Sequence, residues 1–295
     1  MLFDETTLRK LNRLTLVASR ARAGVIKGER RSTKRGAGVE FADYRDYVAG
    51  DDLRRLDWNV YARLDRPFVK LRQEEEDLAV HVLVDASQSM DWGEGARNKF
   101  EHARHLAAAL GAIALAAGDR LSVTMLQTLR SAPLGSEVSL RGPQRVLRLL
   151  RFLEAQTPAG VTDLSRSLRE YALAARRPGL AFLISDCFSP PGYQPGLAQL
   201  QSRGYEVVLI HLLAQDELDP PWAGDLRLVD VETDQAQDVS LDGGLRELYR
   251  RRVQAWRGEI QAYCRKRGIR FLGLSTDQAW DEVVLYEMRK AGVIK

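Results

Sequence analysis

Three oxygen-bearing side chains sit at alternate positions in "HVLVDASQSM", residues 81–90: Asp85, Ser87 and Ser89. They follow a β-branched, apolar run of strand length. In an extended loop every second side chain faces the same way, so the three oxygens can converge on one point. Two other places carry matching chemistry. "TPAGVTD" delivers Thr162 and Asp163, and "LAFLISD" delivers Asp186 at the end of a second apolar run. Carboxylates and hydroxyls without His or Cys form a hard-oxygen set, suited to Mg²⁺ or Mn²⁺. Each piece also has a plain reading. Asp and Ser after a strand form turns, Thr162 can cap the helix that follows with Asp163 in its first turn, and Asp186 can cap "SP".

The elements that must position these residues are legible. From residue 78 onward strand-like runs alternate with helical ones: "LAVHVLVD", a helix over 99–118, "DRLSVTMLQT" with "EVSL" as its hairpin partner, and helices over 143–156 and 162–179. "LAFLISD", "YEVVLIHLL" and "IRFLGLS" read as buried strands; a helix over 243–267 precedes the last and one over 278–291 follows it. This alternation predicts an α/β fold, a doubly wound, mostly parallel, Rossmann-like sheet. In such sheets functional groups gather at the carboxyl ends of the strands, where the strand order reverses. Residues 224–244 break the rhythm and read as a two-stranded β excursion. In front, residues 1–77 read as an extension: a helix over 2–22 and a small β-rich piece over about 24–74.

Composition narrows the classes. The 295 residues are 45% hydrophobic and 28% charged, ordinary for a soluble globular chain. Residues 1–73 carry 17 basic against 10 acidic side chains, and the remaining 222 carry 27 against 30. The basic run 20–35, with seven positive charges and one Glu, could touch nucleic acid phosphates or form a solvated, partner-facing loop. Cys187 and Cys264 have no ligand spacing, the N-terminus does not read as a secretory signal, and the apolar stretch 106–118 is too short to span a bilayer. The expected location is cytoplasmic.

Other candidates carry less. Asp51, Asp52 and Asp57 could form a second acidic site, or pair with Arg54, Arg55 and Arg63. Trp58 reads as a packing anchor. Gly36–Gly38 lacks a preceding strand and a third glycine, which argues against a dinucleotide loop. His81 and His211 lie in strands, and His102 and His105 lie one turn apart on a helix face without a further ligand in register. Ser87 and Ser89 are not in a Gly-x-Ser-x-Gly elbow. An aspartyl phosphohydrolase would want a second Asp where Ser87 stands.

Together "DASQS", "GVTD" and "ISD" resemble the metal-ion-dependent adhesion site of von Willebrand factor A domains. That resemblance implies Asp85, Ser87, Ser89, Thr162 and Asp186 as ligands of Mg²⁺ or Mn²⁺, with one position left open for a partner's carboxylate. Residues 36–70 further resemble the bacterial domain-of-unknown-function 58 group, through Gly38/Glu40/Phe41, Arg45/Tyr47, Gly50/Asp51/Asp52 and Asp57/Trp58. It implies a protein partner, a MoxR-type AAA+ ATPase. The expectation is a non-catalytic, metal-dependent interaction module over residues 78–295. The alternatives are a metal-dependent phosphohydrolase and a nucleic-acid-binding accessory protein acting through residues 20–35.

Overall fold

The computed structural model describes residues 2–18, 41–48, 56–72, 77–127, 136–174, 177–189, 191–229 and 235–295. The basic run 20–35, the glycines at 36–38, Glu40, Gly50, Asp51, Asp52, Arg54 and Arg55 lie outside the described residues. In chain order the elements are α1 (Glu5–Leu11), β1 (Phe41–Asp46), α2 (Trp58–Leu64), β2 (Phe68–Arg72), β3 (Ala79–Asp85), α3 (Lys99–Ala116), β4 (Arg120–Leu126) and β5 (Glu137–Arg141). There follow α4 (Val146–Glu154), α5 (Leu164–Ala174), β6 (Leu180–Ser185), α6 (Gln194–Ser202), β7 (Glu206–Leu213) and α7 (Gln215–Leu218). The chain ends with β8 (Gly224–Val229), β9 (Ala236–Leu241), α8 (Gly243–Arg267), β10 (Arg270–Ser275) and short helical turns over 280–290.

Six strands form one sheet in the order β10-β7-β6-β3-β4-β5. All neighbours are parallel except the β4–β5 hairpin. From β3 the chain crosses by α3 to β4 on one side, then returns through α4 and α5 to β6 on the other. The order of connection therefore reverses between β3 and β6, whose carboxyl ends carry Asp85 and Asp186.

Burial on both faces explains the near-continuous apolar strands. Val80, Val82 and Val84 of β3 face one core with α3, whose Ala-rich flank lets it lie close to the sheet. Leu83 faces the other, with Leu164 and Leu168 of α5, Leu197 and Leu200 of α6, and Ile260 and Cys264 of α8. α6 escapes the sequence reading because Gln, Gly and Pro dilute its pattern; the parallel β6–β7 pair nevertheless requires a crossover between them. α8 matches its predicted bounds: Asp242 caps its start by accepting from the Leu245 N–H, and Gly268 ends it at φ 67°. β8 and β9 form the expected antiparallel excursion.

The chain divides into one unit of Met1–Gly24 with Asp77–Lys295 and another of Val25–Glu76. Grouping residues 1–77 as one extension is therefore corrected at its N-terminal end. Phe3, Leu11, Leu14 and Leu16 are buried in the same core as β3 and α3. The predicted helix over 2–22 is also shortened. It stops at Leu11, and the chain then runs extended against the C-terminus, Thr15 N to Lys295 O and Val17 N to Val293 O. β-branched Thr15 and Val17 suit that pairing better than a helix.

In the second unit β1 and β2 pair antiparallel, with α2 between them in sequence. Asp57 is the N-cap of α2, its carboxylate accepting from Asn59 N (3.0 Å) and Val60 N (3.3 Å). Trp58 is 61% exposed and stands edge-on to Tyr61, so its reading as a packing anchor is corrected.

Candidate metal centre at the strand switch point

Asp85 ends β3 and is buried. Its Oδ1 accepts from Ser87 N at 3.1 Å, the turn that an Asp after a strand favours. Its Oδ2 accepts from Ser185 Oγ at 2.6 Å, and Ser185 Oγ in turn accepts from Cys187 N at 2.9 Å. Among the described residues no cation pairs with Asp85. Burial, and then the nearby Asp186 charge, push its carboxyl up to about 6.

The hydroxyls gather around it. Ser87 Oγ and Ser89 Oγ lie 3.0 Å apart. The loop bearing Thr162 is stitched to this one by two hydrogen bonds, Ala159 N to Ala86 O (2.9 Å) and Gln88 N to Gly160 O (2.8 Å), and Gln127 after β4 bridges both, its Nε2 donating to Ala159 O (2.7 Å) and Ala86 O (3.4 Å). Gly160 turns there at φ 69°. Thr162 is buried and does not cap α5. Its hydroxyl donates to Leu126 O at 3.1 Å, while Asp163 takes the cap by accepting from Arg166 N at 2.8 Å. The sequence reading put Asp163 one position too far into the helix.

Asp186 follows β6. Its Oδ1 accepts from Phe188 N at 3.0 Å, and its carbonyl oxygen bonds His211 Nε2 at 2.9 Å. The next residue, Cys187, has φ 60°, rare for a side-chain-bearing residue and typical of constrained site loops. Sequence reasoning missed the partner of the other oxygen: Lys99 Nζ donates to Asp186 Oδ2 at 2.7 Å and to Glu217 Oε1 at 2.6 Å. Lys99 is fully buried. A lysine at the start of a helix reads as solvent-facing, and only its acidic partners 87 and 118 residues away change that.

The donor set fits a small hard cation. At Mg–O distances of about 2.0–2.1 Å, neighbouring octahedral ligands sit about 3 Å apart. The Ser87–Ser89 oxygen pair has that spacing. Among the described residues no three His, Cys, Asp or Glu form a metal cluster. A site here therefore draws on hydroxyls. His81 is engaged by the Tyr171 hydroxyl and Arg177 O, and His211 Nε2 donates to Asp186 O; burial pulls His81, His102 and His211 down to about 4. His102 is buried, and His105 stacks on Trp280.

The fold is the doubly wound α/β arrangement that the resemblance to von Willebrand factor A domains implied, and the neighbouring strands β3 and β6 end at Asp85 and next to Asp186. The chain belongs to the family described as "Protein of unknown function DUF58", whose model matches residues 43–259. It is 30% identical over 294 residues to uncharacterized proteins of Mycobacterium bovis and Mycobacterium tuberculosis, covering 99% of this chain and 92% of theirs. Similar solved structures include the conserved hypothetical protein BatB of Bacteroides thetaiotaomicron: 12% identity, TM-score 0.45, 73% of this chain and 98% of that one. Another is an aerotolerance-related membrane protein of Bacteroides fragilis: 15% identity, TM-score 0.45, 72% and 99%. No described helix is long and apolar enough to cross a membrane.

Proposed function

We propose that this chain is a non-catalytic protein-interaction module whose binding depends on a divalent cation, Mg²⁺ or Mn²⁺. What supports this is that Asp85 and Asp186 follow neighbouring strands, that the loop leading to Thr162 is hydrogen-bonded to the one carrying Ser87 and Ser89, and that those two hydroxyl oxygens lie 3.0 Å apart. A bound cation would supply a Lewis-acidic contact for a carboxylate of the partner. The protein's part is to orient the donors. Ser185 and the Ser87 N–H fix the Asp85 carboxylate, and Leu126 O accepts from the Thr162 hydroxyl, fixing its position. Neutral hydroxyls add no formal charge, so the cation keeps its attraction for an anionic ligand.

The partner class implied by the family resemblance is a MoxR-type AAA+ ATPase. The test has two arms. Mn²⁺ titration of wild type and of Asp85→Ala/Ser87→Ala should show binding only in wild type; equal affinity ends the reading. A pull-down of a MoxR-type ATPase from the same genome should succeed with Mg²⁺ and fail with EDTA. Phosphohydrolase chemistry on the same oxygens lacks a second Asp at the position of Ser87, where its general acid would stand. Mg²⁺-dependent turnover of phosphoesters, lost in Asp85→Asn, would restore it.

A further inference from the structure

Lys99 opens α3 and is held at both ends. Its backbone N–H donates to Trp92 O at 2.9 Å, and its ammonium bridges Asp186 and Glu217. The Phe188 ring lies 5.2 Å from Nζ. Glu217 is fixed too, its second oxygen accepting from Ala214 N at 2.8 Å. Burying an ammonium is costly and is repaid only by close, well-aligned partners, which this triad supplies. A site that only had to attract a cation would gain nothing from a fixed positive charge against one of its own carboxylates.

The consequence is a division of charge. Asp186 and Glu217 face Lys99, whereas among the described residues Asp85 accepts only from the neutral Ser87 N–H and Ser185 hydroxyl. We infer that Lys99 is the residue that keeps the bound cation electropositive, holding back the Asp186 charge so that a carboxylate from the partner becomes part of the binding. This rests on the reading of the five oxygens as a divalent-cation site. Cation and carboxylate then bind cooperatively, each raising the other's affinity by the same factor.

Mn²⁺ affinity of the full chain, measured with and without saturating acetate, tests this in wild type, Lys99→Met/Glu217→Gln and Lys99→Gln. The double variant removes both ends of the ion pair; Lys99→Gln keeps a donor to Asp186 without the charge and serves if the double variant does not fold. Wild type is expected to bind Mn²⁺ at least fivefold more tightly with acetate than without. Both variants are expected to bind Mn²⁺ at least tenfold more tightly than wild type without acetate, with the acetate effect falling toward one. Wild-type binding whose affinity and acetate coupling are unchanged in the variants overturns the role of Lys99 and leaves the cation site standing. Absence of Mn²⁺ binding in wild type, with or without acetate, overturns the cation site itself.

Discussion

Asp85→Asn is expected to stabilise the protein in EDTA and to abolish its stabilisation by Mg²⁺. Asp85 is buried, and burial with the neighbouring Asp186 charge raises its carboxyl from 3.8 to about 6. The unfolded chain ionises Asp85 from about pH 3.8 upward, and the folded chain only from about 6. Stability is thus lost as pH rises through this window and is flat above it. Two units of difference correspond to about 3 kcal/mol at pH 8. Asparagine removes that cost but leaves one mismatch. Ser185 Oγ already accepts from Cys187 N, and facing an amide NH₂ its own proton loses the Asp85 acceptor. That gives back about 1 kcal/mol. The net gain is about 2 kcal/mol, or roughly 4 °C in melting temperature for a chain of this size. The gain should shrink to near zero by pH 4, where the folded Asp85 is protonated and the unfolded one is only about half ionised. Mg²⁺ at about 100 times its Kd should add about 2.7 kcal/mol to wild type and nothing to the variant, reversing their order. Urea unfolding at pH 8 and pH 4, with EDTA or Mg²⁺, measures all four conditions. A variant less stable than wild type at pH 8 in EDTA would refute the argument, because Asp85 would then have a compensating partner.

Thr162→Val keeps the shape of the side chain but removes the hydroxyl. It should cost about 1 kcal/mol of stability and at least tenfold in Mn²⁺ affinity, read by titration. His81, His102 and His211 are each held near 4 by burial, below the ordinary 6.5. Stability is therefore present above pH 6.5 and falls as pH drops toward 4; unfolding near pH 5 should take up protons at these histidines, and the slope of unfolding free energy against pH should flatten in a His81→Phe variant. Phe182→Ala, at the centre of the sheet with no exposed surface, should cost about 3–5 kcal/mol in urea unfolding. Asp57→Ala should cost about 1 kcal/mol through loss of the α2 cap and leave Mn²⁺ affinity unchanged, which separates it from the five-oxygen site.

Most of the order of elements from residue 78 onward was legible because the central strands β3, β6 and β7 are buried on both faces and the long helices carry their own start and stop signals, as Asp242 and Gly268 do for α8. Even the candidate ligands could be gathered from chain order, since strand ends in a parallel sheet point to one edge. Where a local signal was weak or shared, reading failed. α6 has a diluted pattern, and the cap of α5 could fall on Thr162 or Asp163. The extended segment after α1 is decided by the C-terminal residues it pairs with, Val293 and Lys295, far away in sequence.

Residue types and periodicity thus determined the class of fold and which oxygens could meet. Charge was settled elsewhere. Whether a carboxylate is compensated depends on which groups are brought within a few ångströms of it after burial, and no local pattern reports that. Tertiary structure alone places Lys99 against Asp186 and Glu217 and leaves Asp85 facing neutral donors. In the low dielectric of a buried site that placement outweighs the identity of any one residue, because the worth of a charge is set by its neighbours.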